Sequence, residues 1–406
     1  MSRPRRRGAL AEAFAVYGGR ITSALAQAVA LVILARLVTP ATLGTVAVYV
    51  AVVNLIVGIA DLGLQSSASR ALARGEQGKV LWIVAYRARF MLATAVLVTL
   101  IITLAHAVDS SSVTGAFFLL APWLLAETFN SLRISLAIAD QRSVRAASSL
   151  ALGRLLALGA LYAITRQQWF EPVVSYFLFL IGSAVVSSFL APSVLPGRDC
   201  QAPSPGLRAV LNEARPFWLA SLSGQARSMD TVLLSALAGV SATGLYAFPS
   251  RAVAPLRLVA TSLAAIAMPS AARRDSHHLA VLERGMWTAA LGFVALTTGF
   301  WAIGDQALSW LLGAAYGDSA PLLAILMLGV AANIPGAMWS AVLQGAGRAG
   351  LVARMGFALV LVFLVVVTAG ILCFGALGAA WGVTATYFSQ FVIMLALRVR
   401  KDWPGG

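Results

Sequence analysis

Six arginines fall inside long apolar runs of this sequence: Arg20, Arg133, Arg154, Arg227, Arg251 and Arg257. A guanidinium binds phosphate or pyrophosphate through forked, charge-assisted hydrogen bonds. In the middle of a membrane span an arginine costs about 2.5–3.5 kcal/mol, whereas near a helix end it can snorkel to the interface. Depth therefore sorts the six. Arg133 stands close to Asp140 and fits snorkelling, and Arg20 is intermediate. Arg154, Arg227 and Arg251 lie well inside their runs, and Arg257 lies deep in a run loosened by Pro249 and Pro255. These four fit a water-filled cavity that prefers an anion; structural ion pairing is the alternative.

The acids in the same runs are Asp61, Glu127 and Asp230. Asp61, near a span end, is explained by solvation. Glu127, with Asn130 and Ser131 on a neighbouring face, fits either balancing an arginine or taking up protons. At about 100° per residue, Ser223, Arg227 and Asp230 share one helix face. Asp230 is therefore placed to hold Arg227 as an i,i+3 pair, which is also its structural explanation. Tyr17, Arg20, Ser23 and Gln27 form a second polar stripe, suited to a cavity wall or to a hydrogen-bonded helix contact.

These residues need elements that cross a membrane. The chain has 406 residues, 60% hydrophobic and 11% charged, against roughly a quarter charged in a soluble domain. The reading is an all-α polytopic membrane protein. A helical span takes about 20 apolar residues; the twelve candidates are 14–38, 43–65, 90–107, 114–138, 146–164, 172–195, 214–237, 242–269, 286–304, 320–344, 351–373 and 377–397. With the N-terminus inside, cytoplasmic segments hold 22 of the basic residues and the outer side only Arg36 and Arg166. By the positive-inside rule both termini are cytoplasmic. Most of the +15 net charge is thus a topology signal and calls for no nucleic-acid partner. The basic start Arg3-Pro4-Arg5-Arg6-Arg7 resembles a signal-peptide n-region, but Ala24-Leu25-Ala26 precedes the most apolar run, so the first span is read as retained.

The Pro/Gly/Ser-rich stretch from Pro196 to Gly206 divides the spans into an N-lobe (1–195), a cytoplasmic linker (196–213) and a C-lobe (214–406). Leu37, Gly44 and Ala47 recur as Leu237, Gly244 and Ala247. Six spans per lobe make the repeats parallel, related by a pseudo-twofold along the membrane normal with a site between them. The two cysteines, Cys200 and Cys373, match no ligand spacing, and His277-His278 reads as a solvated loop pair, so no metal site is expected. No Walker lysine, His-Glu-x-x-His or Gly-x-Ser-x-Gly motif is present. No enzymatic reaction and no cofactor are indicated; coupling to H+, Na+ or the membrane potential stays open.

The pattern resembles the polysaccharide and oligosaccharide flippases (polysaccharide transporter family) of the multidrug/oligosaccharidyl-lipid/polysaccharide exporter superfamily. The resemblance rests on Leu34-Ala35-Arg36-Leu37-Val38-Thr39-Pro40-Ala41-Thr42-Leu43-Gly44 and Ala60-Asp61-Leu62-Gly63-Leu64. Arg227-Ser228-Met229-Asp230, Gly244-Leu245-Tyr246 and Met268-Pro269 add to it. Leu312-Gly313-Ala314-Ala315-Tyr316-Gly317, Gln344-Gly345-Ala346-Gly347-Arg348 and Gly375-Ala376-Leu377-Gly378-Ala379-Ala380 complete it. It implies a bacterial inner-membrane exporter of polyprenyl-(pyro)phosphate-linked sugar repeats, working by alternating access and feeding O-antigen, lipopolysaccharide or exopolysaccharide synthesis. Membrane lipids, a glycan polymerase and glycosyltransferases are the implied partners. Arg227 and Asp230 match the family's seventh-span pair; Arg20, Arg154, Arg251 and Arg257, with Tyr17 and Gln27, are candidates for the substrate-binding surface. A cation-coupled multidrug exporter and a non-transporting scaffold for glycan assembly are the alternatives.

Overall fold

The structure is a computed structural model, and it describes residues 6–108, 115–194, 206–226, 229–272 and 276–399. The described residues are helical almost throughout, with no strand. The helices are α1 (Arg6–Leu37), α2 (Pro40–Ala60), α3 (Leu64–Ala73), α4 (Gln77–Val108), α5 (Leu120–Ala139) and α6 (Ser143–Gln167). They continue with α7 (Pro172–Leu190), α8 (Leu207–Ala226), α9 (Met229–Ala272), α10 (Ser276–Leu312), α11 (Ser319–Gly345) and α12 (Ala349–Arg398). Nine of the described helices are long and apolar enough to cross a membrane.

Two of these nine hold more than one straight stretch. Gly239 (φ 87°, ψ 170°) and Gly375 (φ 58°, ψ −131°) interrupt α9 and α12 in backbone regions that only glycine adopts without strain. The expected eleventh and twelfth spans are the parts of α12 on either side of Gly375. The expected seventh corresponds to α8 with the first stretch of α9; residues 227–228 lie outside the described set, as do 195–205, most of the expected linker. The helix α4 starts well before residue 90, because hydropathy marks only the apolar part of a helix whose backbone hydrogen bonds continue into the polar layer. The short helix α3 lay between the expected spans. Leu64, Ser67, Ala68 and Ala71 are its buried face, an i, i+3, i+4, i+7 pattern.

Many hydroxyls inside the spans are satisfied locally. Thr94, Thr99, Thr103, Thr165, Thr297 and Ser340 each donate to the carbonyl four residues back. A polar side chain so bonded adds little cost in lipid.

Contacts divide the chain into two compact units, one of Met1–Leu34 and Tyr49–Ala226, the other of Ala35–Val48 and Arg227–Gly406. In the first, α7 packs against α6 and α5, and Gly153 lets α6 approach the backbone of Ser187 closely. A cluster of Leu64, Ala68, Val80, Ile83, Leu136 and Ala214 joins α3, α4, α5 and α8. Polar contacts fix α8 on it: Trp218 Nε1 donates to the Ile59 carbonyl at 3.0 Å, Arg70 lies over Phe217 at 5.5 Å, and Lys79 pairs with Glu213 at 2.5 Å.

In the second unit α11 is central, with nearly every side chain from Leu322 to Leu343 buried. It packs against α9, α10 and α12. The tip of the α1–α2 hairpin belongs here. Gly44 lies against the Val240 backbone and Gly244 against that of Pro40, with no room for a Cβ at either. Arg36 donates to the Trp310 and Leu311 carbonyls at 2.6 Å, capping the end of α10. Tyr316, in the turn between α10 and α11, donates to the Val38 carbonyl at 3.3 Å, and burial pushes its phenol up to about 12.

Candidate functional site

Each unit holds polar side chains at depth, and they are of two kinds. The first kind is complete. Arg87 of α4, 3% exposed, donates from Nε to Asp61 at 2.6 Å, from Nη1 to the Thr128 carbonyl at 2.8 Å and from Nη2 to Gln65 at 3.0 Å. Gln65 in turn donates to Ser135 at 2.6 Å, and Ser131 donates to Gln65 at 3.1 Å. Every partner here is engaged, so the network fixes α3, α4 and α5 at their common corner. Asp61 is thus an ion-pair partner of Arg87, a residue that the charge pattern assigned to the cytoplasmic segment.

The second kind is incomplete. Glu127 of α5 and Arg154 of α6 stand 3.6 Å apart, the arginine side chain 9% exposed and the glutamate 33%. Glu127 Oε2 and Arg154 Nη1 are buried without a hydrogen-bond partner. Ser188 of α7 donates to Asn130 of α5 at 3.4 Å. In the first unit Arg20 is exposed and Gln27 half-buried. The Tyr17 side chain lies outside the described set. Arg133 donates to the Ala191 carbonyl at 2.8 Å and lies over Phe129.

In the second unit Asp230 is buried and accepts from Tyr246 at 2.7 Å, from the Thr231 N–H at 2.7 Å and from the Thr231 hydroxyl at 3.2 Å. Its expected partner Arg227 lies outside the described residues. Arg257 and Tyr387 are within electrostatic reach of the fully buried Tyr246. The Nε of Arg257 is itself buried without a partner, and Arg251 is half-buried. Across α11 and α12, Gln390 donates to Ser340 at 3.4 Å and Thr384 to the Ile325 carbonyl at 2.8 Å. Among the described residues no group of three His, Cys, Asp or Glu side chains is arranged to hold a metal ion.

Sequence reasoning missed Arg87, Gln65 and Tyr246. Arg87 and Asp61 are 26 residues apart, and Tyr246 and Asp230 are 16 apart across the Gly239 break. No helical periodicity joins either pair. For Tyr246, one signal was present: a tyrosine in an apolar run needs an acceptor for its hydroxyl.

Residues 9–273 match the family model described as "Polysaccharide biosynthesis protein". The chain belongs to that family. No curated protein is significantly similar to it. Solved structures of similar fold include an inward-facing multidrug resistance MATE family transporter of the MOP superfamily. It is 16% identical, with 92% of this chain and 93% of that one aligned at a TM-score of 0.70. The lipid II flippase MurJ, in an inward closed conformation, is 12% identical, with 96% and 87% aligned at 0.71. A MOP superfamily transporter from Pyrococcus furiosus, described as having a binding pocket of reverse polarity, is 16% identical, with 95% and 93% aligned at 0.64. This member of the polysaccharide biosynthesis family therefore has the all-helical, two-lobe membrane-transporter fold shared by MATE proteins and MurJ.

Proposed function

We propose that the protein is a flippase that moves polyprenyl-(pyro)phosphate-linked oligosaccharide repeats from the cytoplasmic to the outer leaflet of a bacterial inner membrane. One observation carries this reading. In a member of the polysaccharide biosynthesis family, the membrane-embedded Arg154 and Arg257 keep guanidinium nitrogens that are buried and unpartnered. Such donors suit the acceptor-rich head group of a lipid phosphate.

In this reading both termini are cytoplasmic and six-span lobes, joined by the 196–213 linker, rock about the substrate. Arg20, Arg154, Arg227, Arg251 and Arg257, with Tyr17 and Gln27, replace water around the phosphates and the first sugars. The polyprenyl tail stays in lipid. Glu127 balances Arg154, Asp61 balances Arg87 at the edge of the first lobe, and Asp230 is the counter-charge for Arg227. With the inside negative, each anionic charge carried outward gains about 2.3 kcal/mol per 100 mV, so export needs no ATP. A polymerase and glycosyltransferases supply and use the repeats. A cation-coupled drug exporter needs acids free to meet its substrate, whereas Asp61 is held by Arg87 and Asp230 by Tyr246.

The test is translocation of lipid-linked sugar in sealed vesicles, comparing the intact protein with Arg227→Gln and Arg257→Gln at matched expression. A charge-assisted hydrogen bond contributes about 1.5–3 kcal/mol, so each variant is expected to lose about tenfold or more of the rate. No transport by the intact protein across several glycan lipids sinks the flippase reading. Equal transport by all three keeps the flippase and discards these two site residues.

A further inference from the structure

Four buried polar atoms without a hydrogen-bond partner lie on three consecutive helices of the first unit. They are Trp123 Nε1 and Glu127 Oε2 on α5, Arg154 Nη1 on α6 and Ser187 Oγ on α7. Trp123 and Glu127 are one turn apart on the same face. Glu127 is 3.6 Å from Arg154, and the neighbouring Gly153 lies against the backbone of Ser187. An unmade buried hydrogen bond costs about 1–3 kcal/mol. A native fold carries few of them, and four on three packed helices, two of them within one ion pair, call for an explanation. The Arg87 network nearby shows that this unit completes its buried polar groups elsewhere.

The chemistry of the atoms indicates what completes them. The tryptophan N–H and the guanidinium are donors only, and the serine hydroxyl can donate. Against these stands one carboxylate, Glu127, set back beyond the roughly 2.7–2.9 Å of a charge-assisted bond and one-third exposed. It is a loosely held counter-ion, placed at the more open side of the group.

The geometry points to Arg154 as a lipid-phosphate ligand whose resident counter-ion, Glu127, is displaced by the phosphate and takes a proton from water as it leaves, with Trp123 Nε1 and Ser187 Oγ as further donors. This rests on the flippase reading and deepens it. A carboxylate parted from its guanidinium within a span is costly as an anion, and protonation removes that cost. Among the described residues, the other cations bonded or stacked on α3, α4 and α5 are engaged elsewhere. Arg87 of α4 reaches the Thr128 carbonyl beside Glu127 but is held by Asp61. Arg70 of α3 lies over Phe217. Tyr176 of α7 packs with Phe177 and Phe179, and the turn Gly115–Leu119 carries no titratable side chain. On α5 itself, Arg133 is bonded to Ala191 and Asp140 pairs with Arg142. Phosphate and proton therefore bind together, and each raises the affinity for the other.

The experiment is calorimetric titration of the full-length protein in lipid nanodiscs with farnesyl pyrophosphate, in two buffers of different ionisation enthalpy. The intact protein is expected to take up a proton on binding. Glu127→Gln should bind at least as tightly with that uptake lost, and Arg154→Gln should bind about tenfold or more weakly, with Arg154→Lys partly restoring affinity. Should Glu127→Gln fail to fold, Glu127→Ala makes the same comparison. Binding without proton uptake, or uptake undiminished in the Glu127 variant, overturns the counter-ion switch while the flippase reading stands. So does failure of the probe to bind a protein that still translocates lipid-linked sugar. Absence of both binding and translocation overturns the flippase reading and, with it, this inference.

Discussion

Arg87 and Arg154 are both more than nine-tenths buried, yet one has every nitrogen bonded and the other does not. Completeness separates a structural arginine from one free to meet a ligand. For Arg87 this gives a prediction. Arg87→Ala strands the Asp61 carboxylate and should cost about 3–5 kcal/mol, the usual penalty for breaking a buried pair from one side. Adding Asp61→Asn to that variant removes the stranded charge and should restore part of the loss. Denaturant unfolding in detergent micelles checks both, and a double variant less stable than Arg87→Ala contradicts the account. The candidate arginines were legible one by one, since an arginine in an apolar run is conspicuous. Their partners were not, because Asp61–Arg87 and Glu127–Arg154 are contacts between helices that no spacing within a helix encodes.

Among the helices, the close crossings rest on glycines that leave no room for a side chain. A Cβ on Gly44 or Gly244 would meet the backbone of Val240 or Pro40. Each of Gly44→Ala and Gly244→Ala should therefore destabilise by about 1–3 kcal/mol, as over-packed sites do. Gly292, inside α10 with nothing near its Cβ position, is the control. Gly292→Ala should stabilise by about 0.5–1 kcal/mol through helix propensity. Thermal unfolding of the three variants decides it; equal melting temperatures would mean that the hairpin tip is not held by these contacts. That most helices exist was legible from runs of apolar residues, since lipid leaves the backbone no partner but itself. The amphipathic α3 and the early start of α4 were not, because they lie where water competes and hydropathy is uninformative.

For the whole molecule, the arginine and lysine distribution predicts the turn before α11 outside and the start of α10 inside. Asp318 and His278 are exposed at those two ends. With Cys200 and Cys373 replaced by serine, Asp318→Cys should react with a membrane-impermeant maleimide added to intact cells. His278→Cys should react only after permeabilisation. The reverse pattern would invert the topology and the direction of transport with it. The family match and the shared fold agree with a transporter, and what such a fold carries is decided by side chains that differ between proteins that share it.

The sequence by itself determined that the chain is a helical, many-span membrane protein and which charges stand inside its apolar runs. Those follow from composition and local order, because burying a backbone in lipid acts on each segment separately. Tertiary structure alone decided which charges are answered. It paired Arg87 with Asp61, gave Asp230 to Tyr246, and left Arg154 and Arg257 with unspent donors. Those outcomes depend on distances of about 3 Å between side chains on different helices or on either side of a helix break, which only packing sets.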